Sequence, residues 1–142
     1  MHIVLHFLVP LLIAAVFYRG QWRKATIIMI ATMLVDVDHL LANPIYDPNR
    51  CSIGFHPLHS IWAIVFYAAL FLIPVVLKQR TDGADWQPAS YILHLIGLGL
   101  LIHMALDWID CLVCPRYPDI MKSVAFAVVL MVFLPQQIHE EN

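Results

Sequence analysis

Apolar positions run almost unbroken through five stretches of the chain, residues 2–18, 25–42, 57–77, 89–109 and 120–134, and polar residues gather in the short connections between them. The runs show neither the strict alternation of a half-buried strand nor a wide polar face. A helix rises about 1.5 Å per residue, so about 20 residues cross the hydrocarbon of a bilayer. The third and fourth runs have that length, the first two are slightly short, and the fifth reaches it only by continuing toward Ile138. Strands are excluded on physical grounds, because an open sheet edge leaves unpaired backbone groups in lipid and five strands cannot close a barrel there. The pattern predicts an all-α integral membrane bundle of about five transmembrane helices, forming one domain over residues 1–142.

Composition strengthens this reading. The chain is 61% hydrophobic and 13% charged, where a soluble domain carries roughly 25% charged residues. The formal net charge of -2 gives no basic surface for a nucleic-acid partner. The opening "MHIVLHFLVPLLIAAVFY" has no basic residue ahead of its apolar run, which predicts a retained first span rather than a cleaved signal peptide. Basic residues set the orientation. Arg19, Arg23, Lys24, Lys78 and Arg80 fall in the first and third connections, against Arg50, Arg116 and Lys122 around the second and fourth. This bias places the first and third connections in the cytoplasm and the other two outside, as in a bacterial inner membrane protein.

Against that background, "LVDVDHLL" at residues 34–41 is out of place. A charge in the hydrocarbon costs a few kcal/mol or more and marks a functional group. On the predicted topology His2, His6, Asp36, Asp38, His39, His56, His59, His103, Asp107 and Asp110 all fall toward the outer membrane face. Residues three or four apart share a helix face. That spacing joins His2 to His6, Asp36 to His39, His56 to His59, and His103 to Asp107 and Asp110. Asp38 leaves the Asp36/His39 face of a regular α-helix, so it either stands behind the ligands or the helix unwinds before it. Pro10 should kink the first span beside the His6 carbonyl, and Pro57 fits the first turn of the third span.

Imidazole and carboxylate together suit zinc, manganese or iron, and the carboxylates offset the cation's charge. The expected metal ligands are His6, Asp36, His39, His59, His103 and Asp107. More than four ligands leaves room for one ion or two, and paired ions are common in phosphoester hydrolysis. Asp38 or Asp110 is then available as a general base. Of the cysteines, Cys111 and Cys114 have C-x-x-C spacing, while Cys51 lies in the other outward connection and could pair with either. An oxidising outer face favours a disulfide over a metal site for these thiols.

The order of these motifs, an N-terminal histidine, D-x-D-H closing an apolar helix, H-x-x-H-S opening the next and H-x-x-x-D late in another, resembles the YdjM-like family of membrane-bound metal-dependent hydrolases. The matching residues are His6, Asp36, Asp38, His39, His56, His59, Ser60, His103 and Asp107. The H-x-x-x-D element is also similar to the zinc phospholipase C and P1 nuclease group. The resemblance implies metal-dependent hydrolysis, with phosphoesters as a substrate class. This chain reads "LVDVDH" and "GFHPLHS" where that family reads P-D-x-D-H and H-R-G-x-T-H-S, so its two loop histidines are three residues apart rather than five.

The reading is therefore a divalent-metal hydrolase, zinc first, acting on an ester or phosphoester at the membrane surface. Its partners are membrane lipid and a small-molecule or lipid substrate. A metal-ion or proton transporter using the same cluster is the alternative, and it would want polar groups through the full membrane depth, where His94 alone extends the set inward. A haem protein is the other rival and leaves Asp36, Asp38, Asp107 and Asp110 without a role. Arg50, Arg116 and Lys122 share the outer side and could hold an anionic headgroup. Thiol labelling of intact cells after mild reduction should place Cys51, Cys111 and Cys114 on one side of the membrane, opposite the cysteines of Arg23→Cys and Lys78→Cys; finding Cys51 across from Cys114 overturns the span assignment.

Overall fold

A computed structural model describes residues 2–43, 45, 51–80 and 87–113. The expected fifth span, Arg50, Cys114, Arg116, Lys122, His139 and the His2 side chain lie outside what is described. Every element among the described residues is helical. Helix α1 spans His2–Phe17, a short 3-10 turn covers Arg19–Gln21, and α2 spans Trp22–Ala31. A second 3-10 segment, Thr32–Leu41, continues from α2. After the loop come a 3-10 turn at Pro57–His59, α3 over Ile61–Arg80 and α4 over Pro88–Val113.

Two helices are long and apolar enough to cross a membrane, Ile61–Lys78 within α3 and Pro88–Cys111 within α4. Helix α1 has 16 residues, about 24 Å, which is short of a bilayer core. It becomes long enough only together with the stretch Arg19–Leu41, from which it is bent by 118°. The described part thus holds two candidate spans, or three when this bent pair counts as one. The sharp turn brings the start of α1 and the end of the 3-10 segment toward the same end of α4, where His103 and Asp107 lie.

The second apolar run is not a single α-helix, and the change of winding decides the site. At Thr32 the backbone N–H and the side-chain Oγ1 both bond the Met29 carbonyl, the latter at 2.6 Å. A bond to the third residue back is the 3-10 pattern. Ten residues then follow it, from Thr32 to Leu41, although runs beyond three or four are uncommon. With three residues per turn the side chains stack in columns. Thr32, Val35 and Asp38 are buried, Met33, Asp36 and His39 sit at the rim, and Leu34, Val37 and Leu40 are exposed. In an α-helix Asp36 and Asp38 would diverge by about 160°; three-fold winding reduces this to about 120° and turns both toward the bundle.

Helix α4 is the axis against which α1, α2 and α3 pack. Met29, Phe71, Leu95, Leu98, Leu101 and Met104 form its dry surroundings. Two glycines permit the close approach. A Cβ on Gly97 would meet the Phe71 backbone nitrogen and lie 2.8 Å from the Leu70 carbonyl carbon. A Cβ on Gly99 would lie 2.8 Å from Thr32 Oγ1 and 2.9 Å from Met29 Cα. At the other end of α4, buried His94 accepts a 2.7 Å hydrogen bond from the Tyr18 hydroxyl and donates through Nδ1 to the Phe71 carbonyl at 3.2 Å. Its ring stacks on Phe71 with centroids 4.7 Å apart. This network ties α1 and α3 to α4. Because the atom in the way at Gly97 is backbone, Gly97→Val should cost about 1–3 kcal/mol through overpacking, read as a lowered midpoint of thermal unfolding in detergent.

Candidate metal centre

The loop at residues 51–60 is built to present His59. Gly54 adopts a positive φ of 80°, which glycine reaches without a Cβ clash. This turns the chain so that the Gly54 N–H donates to the His59 carbonyl at 2.9 Å. The N–H groups of Phe55 and His56 both bond the Ser52 carbonyl, and the His59 N–H bonds the His56 carbonyl. Pro57 begins the 3-10 turn. The Tyr67 hydroxyl on α3 holds the Leu58 carbonyl at 3.0 Å. Ser60 then caps α3, its Oγ accepting from the Ala63 N–H at 3.3 Å. A Cys51–Cys111 disulfide, with Cα atoms 5.2 Å apart, fastens this loop to α4 four residues beyond Asp107. Of the pairings open from sequence, this one is realised.

Four side chains from three elements meet in front of that loop: Asp36, His59, His103 and Asp107 each offer one ligand atom, all within 4.8 Å of one another. Asp36 Oδ1 lies 3.4 Å from His59 Nε2 and 2.9 Å from His103 Nε2. Asp107 Oδ2 lies 3.1 Å from His59 Nε2 and 3.5 Å from His103 Nε2. A tetrahedral ion with bonds of about 2.0–2.1 Å to nitrogen and oxygen needs ligand atoms about 3.3–3.4 Å apart. The four measured edges straddle that value. His59 Nε2 and Asp107 Oδ2 are buried and make no hydrogen bond although they lie 3.1 Å apart. Two buried polar atoms without hydrogen bonds, aimed at one point, are costly unless something there binds both. The donor set and its spacing fit a divalent ion.

A second layer holds these ligands in place. Asp38, on the buried column, accepts from the Leu58 N–H at 2.8 Å and meets His59 Nδ1 at 3.2 Å through Oδ2. This fixes the proton on Nδ1 and leaves Nε2 for a metal, an arrangement typical of metal-binding histidines. His6 does the same for a carboxylate, its Nε2 lying 3.2 Å from Asp107 Oδ1 and leaving Oδ2 to the cluster. The His6 and His103 rings meet edge to face, 4.6 Å apart. The carboxylates of Asp36, Asp38 and Asp107 lie 3.1–3.4 Å from the His59 ring nitrogens, so the surroundings favour positive charge at this point.

A second group, Asp38, His39 and His56, also meets the spacing of a metal site. His39 Nδ1 lies 3.2 Å from Asp38 Oδ1 and 3.5 Å from Asp36 Oδ1. Asp38 Oδ1 and His39 Nδ1 are buried without hydrogen bonds. His39 Nε2 is held by Ser52 Oγ at 3.0 Å, and its ring lies against that of His56 with centroids 3.9 Å apart. The expected ligands therefore divide. Asp36, His59, His103 and Asp107 form one set, His39 belongs to the other, and His6 stands behind Asp107. His56, which was not among the expected ligands, joins the second set, although its ring still meets that of His59 edge to face with centroids 5.8 Å apart. Asp38 is engaged with Leu58 and His59 rather than spare. Asp110 belongs to neither set.

Residues 1–81, more than half of the chain, match the model of a family of unknown function (DUF6122), and the chain belongs to that family. The match takes in His6, Asp36, Asp38, His39, His56 and His59 and stops before His103 and Asp107. No curated protein and no solved structure matches the chain.

Because Asp38 orients His59 through Oδ2, Asp38→Ala should free the imidazole. Zinc affinity, measured by competition with a chromogenic chelator, should fall roughly 10–100-fold while helix content by circular dichroism is retained.

Proposed function

We propose that this member of the family is a membrane-embedded, divalent-metal-dependent hydrolase of an ester or phosphoester. The observation that carries the reading is the convergence of Asp36, His59, His103 and Asp107, with ligand atoms within 4.8 Å of one another and two of those buried atoms left without hydrogen bonds. Zinc suits the mixed imidazole and carboxylate donors best, with manganese or iron as alternatives. A bound ion of this kind supplies Lewis acidity and a water of lowered pKa. The second set supports a second ion, with Asp36 bordering both.

The chain's own groups do the rest. Asp38 and His6 keep His59 and Asp107 aimed, which spares the site reorganisation during reaction. Asp110, half-buried and one helical turn beyond Asp107, is our choice for the general base that takes the proton from water. Water adds across the ester bond, its oxygen joining the acyl carbon or phosphorus, and its proton passes through Asp110 to the departing alcohol. The motif resemblance to YdjM-like hydrolases supports the same reaction class. The Cys51–Cys111 disulfide supports a site on the outer, oxidising side of a bacterial inner membrane, in keeping with the basic-residue bias. On this reading the fold completes a bundle of about five spans.

The transporter alternative gains nothing from His94. Both of its ring nitrogens are engaged, by Tyr18 and by the Phe71 carbonyl, so it has the character of a structural tie and not of a relay. The test uses detergent-purified protein. Native protein should carry divalent metal and cleave bis(p-nitrophenyl) phosphate or a p-nitrophenyl ester. Asp107→Asn should lose most of both, because the ion loses an anionic ligand. His94→Gln should unfold at lower temperature, by about 1–3 kcal/mol for its lost hydrogen bonds, and still retain the metal. Metal-loaded native protein that cleaves none of a broad ester panel overturns the hydrolase reading.

A further inference from the structure

The outer column of the 3-10 segment has no part in the chemistry above. Leu34 is 78% exposed, Val37 59% and Leu40 64%. Three-fold winding at about 2 Å per residue stacks them into a straight apolar ridge about 12 Å long. Beside it, one residue over, runs the rim column that carries Asp36 and His39. Phe55 and Trp62, which flank the His56–His59 turn in sequence, are exposed as well.

The ligands differ sharply in access. The His59 and His103 side chains are 0% and 2% exposed and that of Asp107 is 12%, whereas Asp36 is 41% exposed. A ligand therefore reaches the first set past Asp36, and the surface beside Asp36 is the apolar ridge. A site fed from water would be rimmed by polar side chains; here the flanking column is leucine and valine. The ridge belongs to the stretch Arg19–Leu41, which forms part of a candidate membrane span. The exposed side chain Ile27 lies on the same stretch, so the lipid-facing surface continues from α2 onto the ridge. Acyl chains are the occupant that such a surface favours.

We propose that the centre receives its substrate sideways from the bilayer: a phospholipid lays an acyl chain along Leu34, Val37 and Leu40 and brings its phosphoester to the rim at Asp36. The chain supplies binding energy remote from the reacting group, and the ridge fixes how deep the headgroup sits. This deepens the hydrolase reading and rests on it for turnover. Seating of the lipid needs only the ion and the ridge.

The experiment places photoreactive benzoylphenylalanine at Val37 or at Ile27 in full-length protein. The protein is reconstituted in vesicles of phosphatidylethanolamine and phosphatidylglycerol with alkyne-tagged acyl chains. Position 37 should form phospholipid adducts that rise several-fold when zinc is loaded, and that fall on chelation or in Asp36→Asn. Position 27 should label equally with and without zinc, as bulk lipid does. Labelling at 37 that ignores zinc, or adducts there to a second copy or another protein, overturns the proposal. Val37→Glu should also lower turnover of long-chain phospholipid by an order of magnitude relative to bis(p-nitrophenyl) phosphate; an equal loss of both would make the ridge merely structural. If native protein cleaves no ester, the hydrolase reading fails by itself, and zinc-dependent labelling at position 37 still decides the seating.

Discussion

The three-residue winding of Thr32–Leu41 is the constraint on which the rest depends. It sends Asp38 inward to brace the His59 turn, holds Asp36 and His39 at the rim, and leaves a continuous apolar column outside. An α-helix over the same residues would separate the two aspartates and break all three columns. Long 3-10 segments are poor in hydrogen-bond geometry. This one is held by tertiary contacts, with Thr32 bonded back to Met29 and both residues pressed against Gly99 of α4. The glycine on α4 and the winding of the preceding segment are thus one device.

The site is assembled from parts that share little local sequence. Asp36 comes from the 3-10 segment, His59 from a turn, and His103 and Asp107 from α4. Two of the four groups that face the centre are steadied from behind: His59 by Asp38, and Asp107 by His6. The Cys51–Cys111 disulfide closes a separation of 60 residues between the loop and α4. In the chain-entropy model such a cross-link removes roughly 4 kcal/mol of freedom from the unfolded chain. It acts where a loose loop would move a ligand by more than a metal bond tolerates.

Asp36, Asp38 and Asp107 crowd around His59 and His103, and a cation held at their centre would offset the carboxylates better than isolated burial would allow. The opposite end of α4 solves its polar problem without ions. His94 finds one donor and one acceptor in Tyr18 and Phe71. The two ends thus use histidine in different ways, as a structural tie at one and within a group that could hold a metal ion at the other.

The all-helical class and the apolar spans in the third and fourth runs were legible in the sequence, because bilayer thickness converts directly into run length. So was the gathering of histidine and aspartate at one depth, because alternate spans reverse together and helical spacing groups neighbours. The division of those residues into two sets was not legible. His56 and His59 have the spacing of one helix face and their rings meet edge to face, 5.8 Å apart, yet His56 falls with Asp38 and His39 while His59 falls with Asp36, His103 and Asp107. Asp38 read as a residue off the stripe and a candidate general base, and the Leu58 N–H and His59 Nδ1 contacts give it a place behind His59. The choice of Cys111 as partner for Cys51 likewise needed their backbones brought 5.2 Å apart. The physical reason is the same in each case. Periodicity fixes which residues share a face only while the winding is known, and here the winding is set by contacts with α4, far away in the chain.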